Sequence, residues 1–571
     1  MRGASLLAAA TVVAALVAAP TAGAATVPAR SAADFRDSIG VQTHIVYYDT
    51  AYGDWPRVVQ KLDELGVDHV RDGMYANPAS GDWNERYYQA VDLAVAHGKR
   101  FLFNMGEPGF GQGSLDQLVA AAAGRLRGAA DGFEGPNEYD LFHGGPNWQG
   151  ELGDYQRRLY RAIKAEPLLR DLPVVGPSLV YDDADGRLGS LKDSVDIGNI
   201  HPYTGGEAPS ANHLQKRFDA VDHVFGSAPL YATEAGFHNA YAADHGQPAV
   251  AEDVAGSYLL RTYLEHFRAG ISRTYAYELI DQKADPGLSN PEEHFGLLRN
   301  DFTPKPAFAS LQAMLRLIGR PAAVAPQPLD LGIGGDADGV QRLLLQKADG
   351  RYTLALWQSA SEWDTQRQIG LRVPSRTVSL TLPADASVTL ARPARDGDAV
   401  TSLGRVRAAS IAVPADPVLV DLDFSPAAAG PGPGAPSADP VAPATPADAC
   451  TPGDGVVLRK AGVAASISSR ASRARPFRVG FCSPTAGKVV IETGPRGRGG
   501  KIARVLAREA LNVSPGVPVS TVLGSGRLAK ASAGSSAAGV RVRFRARGAR
   551  HEIVIDHSLD VSGVRRRASH R

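Results

Sequence analysis

Between residues 35 and 320, short apolar runs alternate with stretches whose apolar residues recur every three or four positions. Short runs bounded by turn-forming residues predict buried strands, and the three-to-four spacing predicts amphipathic helices. The predicted strands are Ile39–Ile45, Val67–Arg71, Arg100–Met105, Gly132–Glu138, Pro173–Ser178, Val195–Pro202, Leu230–Glu234 and Thr274–Leu279. Helical patterns lie between most of them, over Trp55–Leu65, Tyr87–Ala96, Leu115–Leu126, Asp154–Ala165, Leu214–Val224 and Val254–Arg268, and a last one covers Pro306–Ile318. The fifth connection, near Leu188–Lys192, is short. Eight strand–helix pairs in about 285 residues match the count and size of a closed (β/α)8 barrel. An open doubly wound sheet would carry a glycine-rich phosphate turn after its first strand. Here that strand runs into Gln42-Thr43-His44-Ile45-Val46-Tyr47-Tyr48, without such a turn. The expected fold is α/β, a TIM barrel over residues 35–320.

The pattern changes over residues 325–424. Short alternating runs replace helical spacing at Val340–Gln346, Tyr352–Trp357, Thr377–Leu382, Ser387–Leu390, Ile411–Val413 and Val418–Leu422, with a hairpin signal at Asp349-Gly350. These predict an antiparallel β-sandwich accessory domain. Residues 426–449 read as a Pro/Ala/Gly-rich linker, with seven prolines and no aromatic residue between Pro426 and Asp448. Residues 450–571 read as a small basic β domain, with strands at Phe477–Cys482, Val489–Glu492, Val540–Ala546 and Ile553–Ile555 and a disordered tail closing on Arg565-Arg566-Arg567.

Composition adds three points. Residues 1–25 read as a signal peptide: Arg2, an apolar stretch from Leu6 to Ala19 and an Ala22-Gly23-Ala24 cleavage site. With no other stretch near ~20 apolar residues, the protein is expected to be secreted, without a transmembrane segment. The only two cysteines, Cys450 and Cys482, read in an exported chain as one disulfide, with two free thiols as the alternative. The formal net charge of +1 conceals an asymmetry: residues 451–571 hold 23 Lys and Arg against 6 Asp and Glu, residues 1–450 hold 38 against 54. A basic module on an acidic body suits attachment to an anionic cell-wall polymer, and a solvated surface is the plainer reading. A nucleic-acid role is disfavoured by export and by the lack of a recognisable binding fold.

On a barrel, the strand C-termini open onto the active face. Polar residues cluster there: His44 on strand one, Arg71-Asp72 on two, Asn104 and Glu107 on three, Asn137-Glu138 on four. They continue with His201-Pro202-Tyr203 on six, Glu234 on seven and Tyr277-Glu278 on eight. Two carboxylates facing one cavity are what glycosidic cleavage needs, one to protonate the leaving oxygen and one to attack or to activate water. No HExxH, paired CxxC or phosphate loop is present, so neither metal nor nucleotide chemistry is indicated.

With Gly135-Pro136-Asn137-Glu138 on strand four and Ala232-Thr233-Glu234-Ala235-Gly236 on strand seven, the barrel region resembles the clan A retaining glycoside hydrolases. The opening at Ile39–His44 and the Val-Arg-Asp at Val70–Asp72 look most like family 39 and family 5-like members. The resemblance implies Glu138 as acid/base with a raised pKa, and Glu234 as nucleophile. It implies Asn137 on the sugar 2-hydroxyl, and Tyr203 and Arg71 holding the nucleophile ionised. It implies no cofactor and a polysaccharide or oligosaccharide substrate. His44, His201, Tyr277, Glu278 and Trp148 are further substrate-binding candidates, with Phe142, Glu107 and Phe237-His238 behind them; for each, a core or loop role is the plainer alternative. One departure is Tyr275-Ala276-Tyr277-Glu278 on strand eight, where clan members often carry a tryptophan. Two other readings stay open: a transglycosylase using the same residues, and a non-catalytic carbohydrate- or wall-binding protein on a degenerate barrel.

Overall fold

The computed structural model describes residues 25–77, 81–106, 111–143, 145–180 and 186–426, and beyond them the strands between residues 456 and 561. The chain divides into two compact units, Met1–Ala427 and Ala428–Arg571.

The first unit contains the barrel. Its eight strands are Ile39–Gln42, His69–Gly73, Arg100–Asn104, Ala130–Glu134, Val174–Val175, Gly198–Ile200, Leu230–Ala235 and Arg273–Ala276, referred to below as strands one to eight. All pair in parallel, strand one lies beside strand eight, and a parallel bridge from Val175 to Ile197 joins strand five to the entry of strand six. Every predicted strand is present, and the closed array agrees with the expected barrel. The strands read as continuous apolar runs because both faces are covered, the outer by helices and the inner by the other strands. Leu102, Val175, Tyr231 and Tyr275 fill the interior as one apolar layer.

The helices follow their periodicity. Trp55–Leu65 buries Trp55, Val58, Val59, Leu62 and Leu65, one stripe at three-to-four spacing. Pro56 opens it, and Gly66 ends it at φ 90°, a left-handed cap whose N–H donates to Leu62 O. The helix over Leu115–Ala123 starts on a capping box between Ser114 and Gln117. Glu252–Ala269 is different, being buried without a break from Val254 to Phe267.

Part of that burial comes from the second sheet, whose Trp357 bonds Glu265 of this helix. Eight strands, with Arg376–Ala391 at their centre, assemble into one largely antiparallel array. Their inward residues, among them Leu344, Leu354, Leu356, Val378, Leu380, Ile411, Val420 and Leu422, make a separate core. The alternate residues Leu343, Leu345, Ala355, Trp357 and Leu419 belong instead to the barrel core. Trp357 Nε1 donates to Glu265 Oε1 at 2.9 Å, which pins the sandwich to the eighth-strand side of the barrel. The hairpin at Asp349-Gly350 forms as expected, with Gly350 at φ 84°.

Several features differ from the sequence reading, among them the run Ile411–Val413, which is the end of a strand over Val400–Val413. Thr377–Leu382 and Ser387–Leu390 are one strand, carried past Pro383 by a register shift between Thr381 and Ala386; bulges are where a strand tolerates proline. Leu329–Gly335 is an unpredicted strand, having three glycines and little alternation. Ala25–Val27 and Ala29–Ser31 pair with Leu329–Leu331 and Leu344–Gln346, so the last residue of the predicted leader, Ala25, and the chain just after it belong to the sandwich sheet. At three residues each, they are too short for a periodic signal.

The second unit consists of a four-stranded and a five-stranded sheet, in keeping with a small β domain. Arg541, Arg543 and Arg545 occupy alternate positions of its strand Ala537–Ala546. Residues 1–24 of the predicted leader, most of the linker, Cys450 and the C-terminal tail lie outside the described residues. Among the described residues, no helix is long and apolar enough to cross a membrane.

Candidate active site

The polar site sits on the apolar layer inside the barrel and is organised by one buried cation. Arg71 points inward from strand two and is 2 % exposed. Its Nε and Nη2 donate to Glu134 Oε2 and Oε1 at 2.5 and 2.8 Å. Nη1 donates to Gln42 Oε1 at 2.8 Å and to Glu234 Oε1 at 2.6 Å. Nη2 also donates to Asn137 Oδ1 at 2.6 Å. All five guanidinium N–H groups are thus engaged. Burial opposes the Arg71 charge, but the Glu134 and Glu234 carboxylates outweigh it and hold the cation charged.

Strand seven delivers Glu234 through a bulge. Thr274 pairs with Ala232 and Ala276 with Ala235, so strand seven has one extra residue in that interval. The insertion breaks the in–out alternation and lets Thr233 and Glu234 both face the barrel axis. Tyr203 OH donates to Glu234 Oε2 at 2.8 Å, and His201 Nδ1 lies 3.6 Å from the same oxygen. Burial pushes the Glu234 carboxyl up, but His201 and Arg71, with the Tyr203 and Arg71 hydrogen bonds, outweigh it and the net direction is down.

Strand four delivers Asn137 and Glu138. Gly135 is required by close approach, since a Cβ there would lie 2.2 Å from Gln156 Oε1 and 3.0 Å from Pro177 N. Asn137 Oδ1 accepts from Arg71 and, at 3.2 Å, from Ser178 Oγ, which leaves its amide nitrogen to the cavity. Glu138 adopts φ 42° and ψ 45°, a left-handed conformation uncommon outside glycine. Its Oε1 meets His201 Nδ1 at 2.7 Å. The other ring nitrogen, Nε2, meets Thr233 Oγ1 at 2.9 Å. The Thr233 hydroxyl also faces Asn199 Oδ1 and Glu134 Oε1, both acceptors, so it receives the Nε2 proton and donates onward. Nδ1 therefore faces the Glu138 carboxyl while Nε2 is committed to Thr233.

One oxygen of Glu138, one of Glu234 and a His201 nitrogen lie within 4.8 Å of one another. Such a trio has metal-ligand chemistry, yet Glu234 already faces a guanidinium and a hydroxyl donor, while His201 is tied to Thr233. The donor set fits proton transfer better than cation binding.

The cavity above has a volume of about 890 Å³ and is lined by Gln42, His44, Arg71, Asn137, Glu138, His201, Tyr203, Glu234 and Tyr277 among others. His44 stacks on Tyr47 with ring centroids 4.4 Å apart and an interplanar angle of 7°. Burial, partly offset by Glu234 and reinforced by Arg71, takes its pKa down to about 4, so the imidazole is neutral near pH 7. Tyr277 stands in the wall where the strand-eight tryptophan was absent, packed edge-on against Phe295 (5.3 Å) and donating to Glu292 Oε2 at 2.7 Å.

Two predicted binding residues are placed elsewhere. Glu278 is fully buried beneath the cavity, accepting from Tyr52 OH at 2.8 Å and Gln282 Nε2 at 3.1 Å, with His44 Nε2 3.3 Å away. It is not among the residues that line the cavity. Trp148 opens the helix Trp148–Ala165 with its ring in the core, beside Tyr139, Leu152 and Leu179. Its apolar ring gains more from that core than from an aqueous loop. Phe237 packs on Tyr258 and His238 is tied to Gln247 O, both off the cavity. Glu107 lies outside the described residues. Sequence reasoning missed Glu134, Gln42, Thr233 and Asn199, which hold Arg71 and His201 in place, and Glu292 at the cavity wall.

No protein-family model matches the chain, and no curated protein matches it. Similar solved structures include a GH39 enzyme from Xanthomonas axonopodis pv. citri, at 16 % identity and TM-score 0.44, covering 69 % of this chain and 96 % of that one. An active-site mutant of Rhizomucor miehei beta-1,3-glucanosyltransferase is similar at 16 % identity and TM-score 0.36, over 48 % of this chain and 97 % of that one. A Bacteroides uniformis beta-glucuronidase is similar at 12 % identity and TM-score 0.35, over 91 % of this chain and 65 % of that one.

Proposed function

We propose that the chain is a retaining glycoside hydrolase acting on a polysaccharide or oligosaccharide, with Glu138 as acid/base and Glu234 as nucleophile. The observation that carries this reading is the approach of the two carboxylates to within 4.8 Å, in unlike surroundings. Retaining enzymes hold their carboxyl groups roughly 5–5.5 Å apart, whereas inverting ones need about 6.5–9.5 Å to admit a water. Glu234 is kept ionised by Arg71 and Tyr203 and lines the cavity. Glu138 meets His201 Nδ1 at 2.7 Å and lines the cavity.

In the first step an oxygen of Glu234 bonds to the anomeric carbon while the bond to the leaving oxygen breaks, and Glu138 gives that oxygen its proton. In the second, Glu138 as carboxylate takes a proton from water, whose oxygen bonds to the anomeric carbon and releases Glu234. Asn137, anchored through its Oδ1, presents its amide N–H groups to the sugar beside the scissile bond. The intact pair speaks against a degenerate, purely binding barrel. Export is supported by the leader-like residues 1–25, and attachment to an anionic wall polymer by the net charge of +17 over residues 451–571; a Cys450–Cys482 disulfide belongs to the same reading.

The test is a panel of aryl glycosides. Glu234→Gln is expected to abolish turnover. Glu138→Ala is expected to keep activity on substrates with good leaving groups and to be rescued by azide with retained configuration. Near-parental rates in Glu234→Gln, or no rescue of Glu138→Ala, refute the assignment.

A further inference from the structure

Beside strands six and seven the cavity wall rests on more than the barrel. Gly246 and Gln247 line it, and both belong to residues 236–251, the connection after strand seven, where the chain forms no helix or strand. A long loop without regular structure needs packing of its own to keep one shape. His238 closes its neck: Nε2 donates to Gln247 O at 2.6 Å, and Nδ1 accepts from Ala240 N–H at 3.2 Å. Val250 N–H donates to His238 O at 3.0 Å, and Asn239 Nδ2 donates to Val250 O at 2.9 Å. On the strand-eight side, Ala242 N–H donates to Leu288 O at 2.8 Å.

The support on the other side comes from the sandwich. Between its strands Tyr352–Gln358 and Arg376–Ala391 the chain makes a short hairpin, in which Trp363 pairs with Gly370 and Asp364 with Ile369. Asp364 Oδ1 closes the turn by accepting from Gln366 and Arg367 N–H at 3.0 and 2.9 Å. This hairpin grips the loop after strand seven. Trp363 is 7 % exposed, its Nε1 donates to Ala249 O at 2.9 Å, and its ring packs with Val250, Val254, Ala255 and Tyr258. Tyr241 covers the same indole, with ring centroids 6.2 Å apart, and Gln368 Nε2 donates to Tyr241 O at 3.2 Å. Thr365 reaches the connection after strand six as well. A Cβ on Gly206, next to the cavity-lining Gly205, would lie 3.2 Å from Thr365 Cγ2 and 2.7 Å from Pro248 O.

We propose, on the basis of the glycosidase reading above, that this hairpin belongs to the substrate-binding apparatus and that Trp363 is a positioning residue. From the sandwich it fixes the loop after strand seven, so that Gly246 and Gln247 hold the cavity wall in place. Trp363 is not among the lining residues; it acts through Ala249, two residues beyond Gln247, and through Tyr241. Trp357 joins the same two domains differently, since its partner Glu265 does not line the cavity. One tryptophan therefore serves binding and the other serves stability alone.

The test sets the two tryptophans against each other, with kcat and KM measured on an aryl glycoside that the parent turns over. Trp363→Ala is expected to raise KM at least about fivefold with little change in kcat, because a displaced wall weakens ground state and transition state alike. Trp363→Phe keeps a ring against Tyr241 and loses the bond to Ala249 O, so its KM should fall between the two. Trp357→Ala, although destabilised, should keep the parental KM. Hydrogen exchange read by mass spectrometry needs no substrate and covers the case in which Trp363→Ala does not fold. Amides of residues 238–250 should exchange faster in Trp363→Phe than in the parent, and at the parental rate in Trp357→Ala. A parental KM in the Trp363 variants, an equal rise in KM in Trp357→Ala, or unchanged exchange over 238–250 in Trp363→Phe overturns the proposal. If the exchange difference is present but the parent turns over no glycoside, the glycosidase reading fails and the role of the hairpin in holding the wall stands.

Discussion

Replacing Tyr203 by Phe removes one atom from the nucleophile's surroundings and leaves the packing in place. The ring keeps its edge contacts with His201 and Phe295, at centroid distances of 6.4 and 6.0 Å. What disappears is the 2.8 Å hydrogen bond to Glu234 Oε2. Burial, with the nearby charges of Glu234 and Glu138, holds the Tyr203 hydroxyl well above its usual pKa, so it acts only as a donor. A hydrogen bond to a charged group contributes about 1.5–3 kcal/mol net, equivalent to a rate factor of about 10 to 150 if expressed in full. The second step feels it most, because Glu234 departs there as a carboxylate and regains its charge. Since only part of that charge has developed at the transition state, the expected loss in breakdown of the glycosyl-enzyme is about tenfold. Stopped-flow measurement with a dinitrophenyl glycoside should show a phenolate burst followed by a slower steady state. Because the lost donor helped to keep Glu234 ionised, the acid limb of kcat/KM should move to higher pH. A steady-state rate within twofold of the parent, with an unmoved acid limb, would refute the role given to Tyr203.

Two further predictions concern stability. At the opposite end of the barrel, His69 bridges Asp131 and Asp37 at 2.5 and 2.8 Å, and Arg273 bonds both carboxylates. Burial lowers the His69 pKa, but its bonds to Asp131 and Asp37 outweigh this and raise it overall. Its stabilising contribution is therefore complete below the unfolded-state value of about 6.5 and is lost as pH rises through the folded value. The Tm difference between the parent and His69→Gln should be largest near pH 6 and shrink toward pH 9; a difference independent of pH contradicts this. At the barrel–sandwich contact, Trp357 is fully buried and bonded to Glu265. Trp357→Ala should cost about 3–5 kcal/mol in urea unfolding, and a loss under 1 kcal/mol would mean that the sandwich does not brace the barrel.

The barrel was legible because eight apolar runs alternate with helical stripes, a pattern set by burial on both faces of every strand. The proposed catalytic pair was legible because Glu138 and Glu234 end such runs, and Tyr203 and Arg71 followed from the resemblance. Glu134 was not, although it stands one residue after Phe133 within a predicted strand. A carboxylate inside an apolar run gives no sign that its countercharge, Arg71, waits on another strand. The strand-seven bulge was equally hidden, since an inserted residue shows only in the pairing. Trp148 misled because an aromatic residue in a long connection reads the same whether it covers a sugar or fills a core. Glu278 misled for a related reason: its position at a strand end suggested the cavity, and Tyr52 and Gln282 hold it below.

The most direct test of the central claim is to trap the covalent intermediate. A panel of dinitrophenyl 2-deoxy-2-fluoro-β-glycosides is incubated with the protein, followed by intact-mass analysis and peptide mapping. The account predicts stoichiometric addition of one fluoroglycosyl group, located on Glu234 and absent from Glu234→Gln. A label on another residue, or turnover of a natural glycoside with inversion of the anomeric configuration, would contradict it.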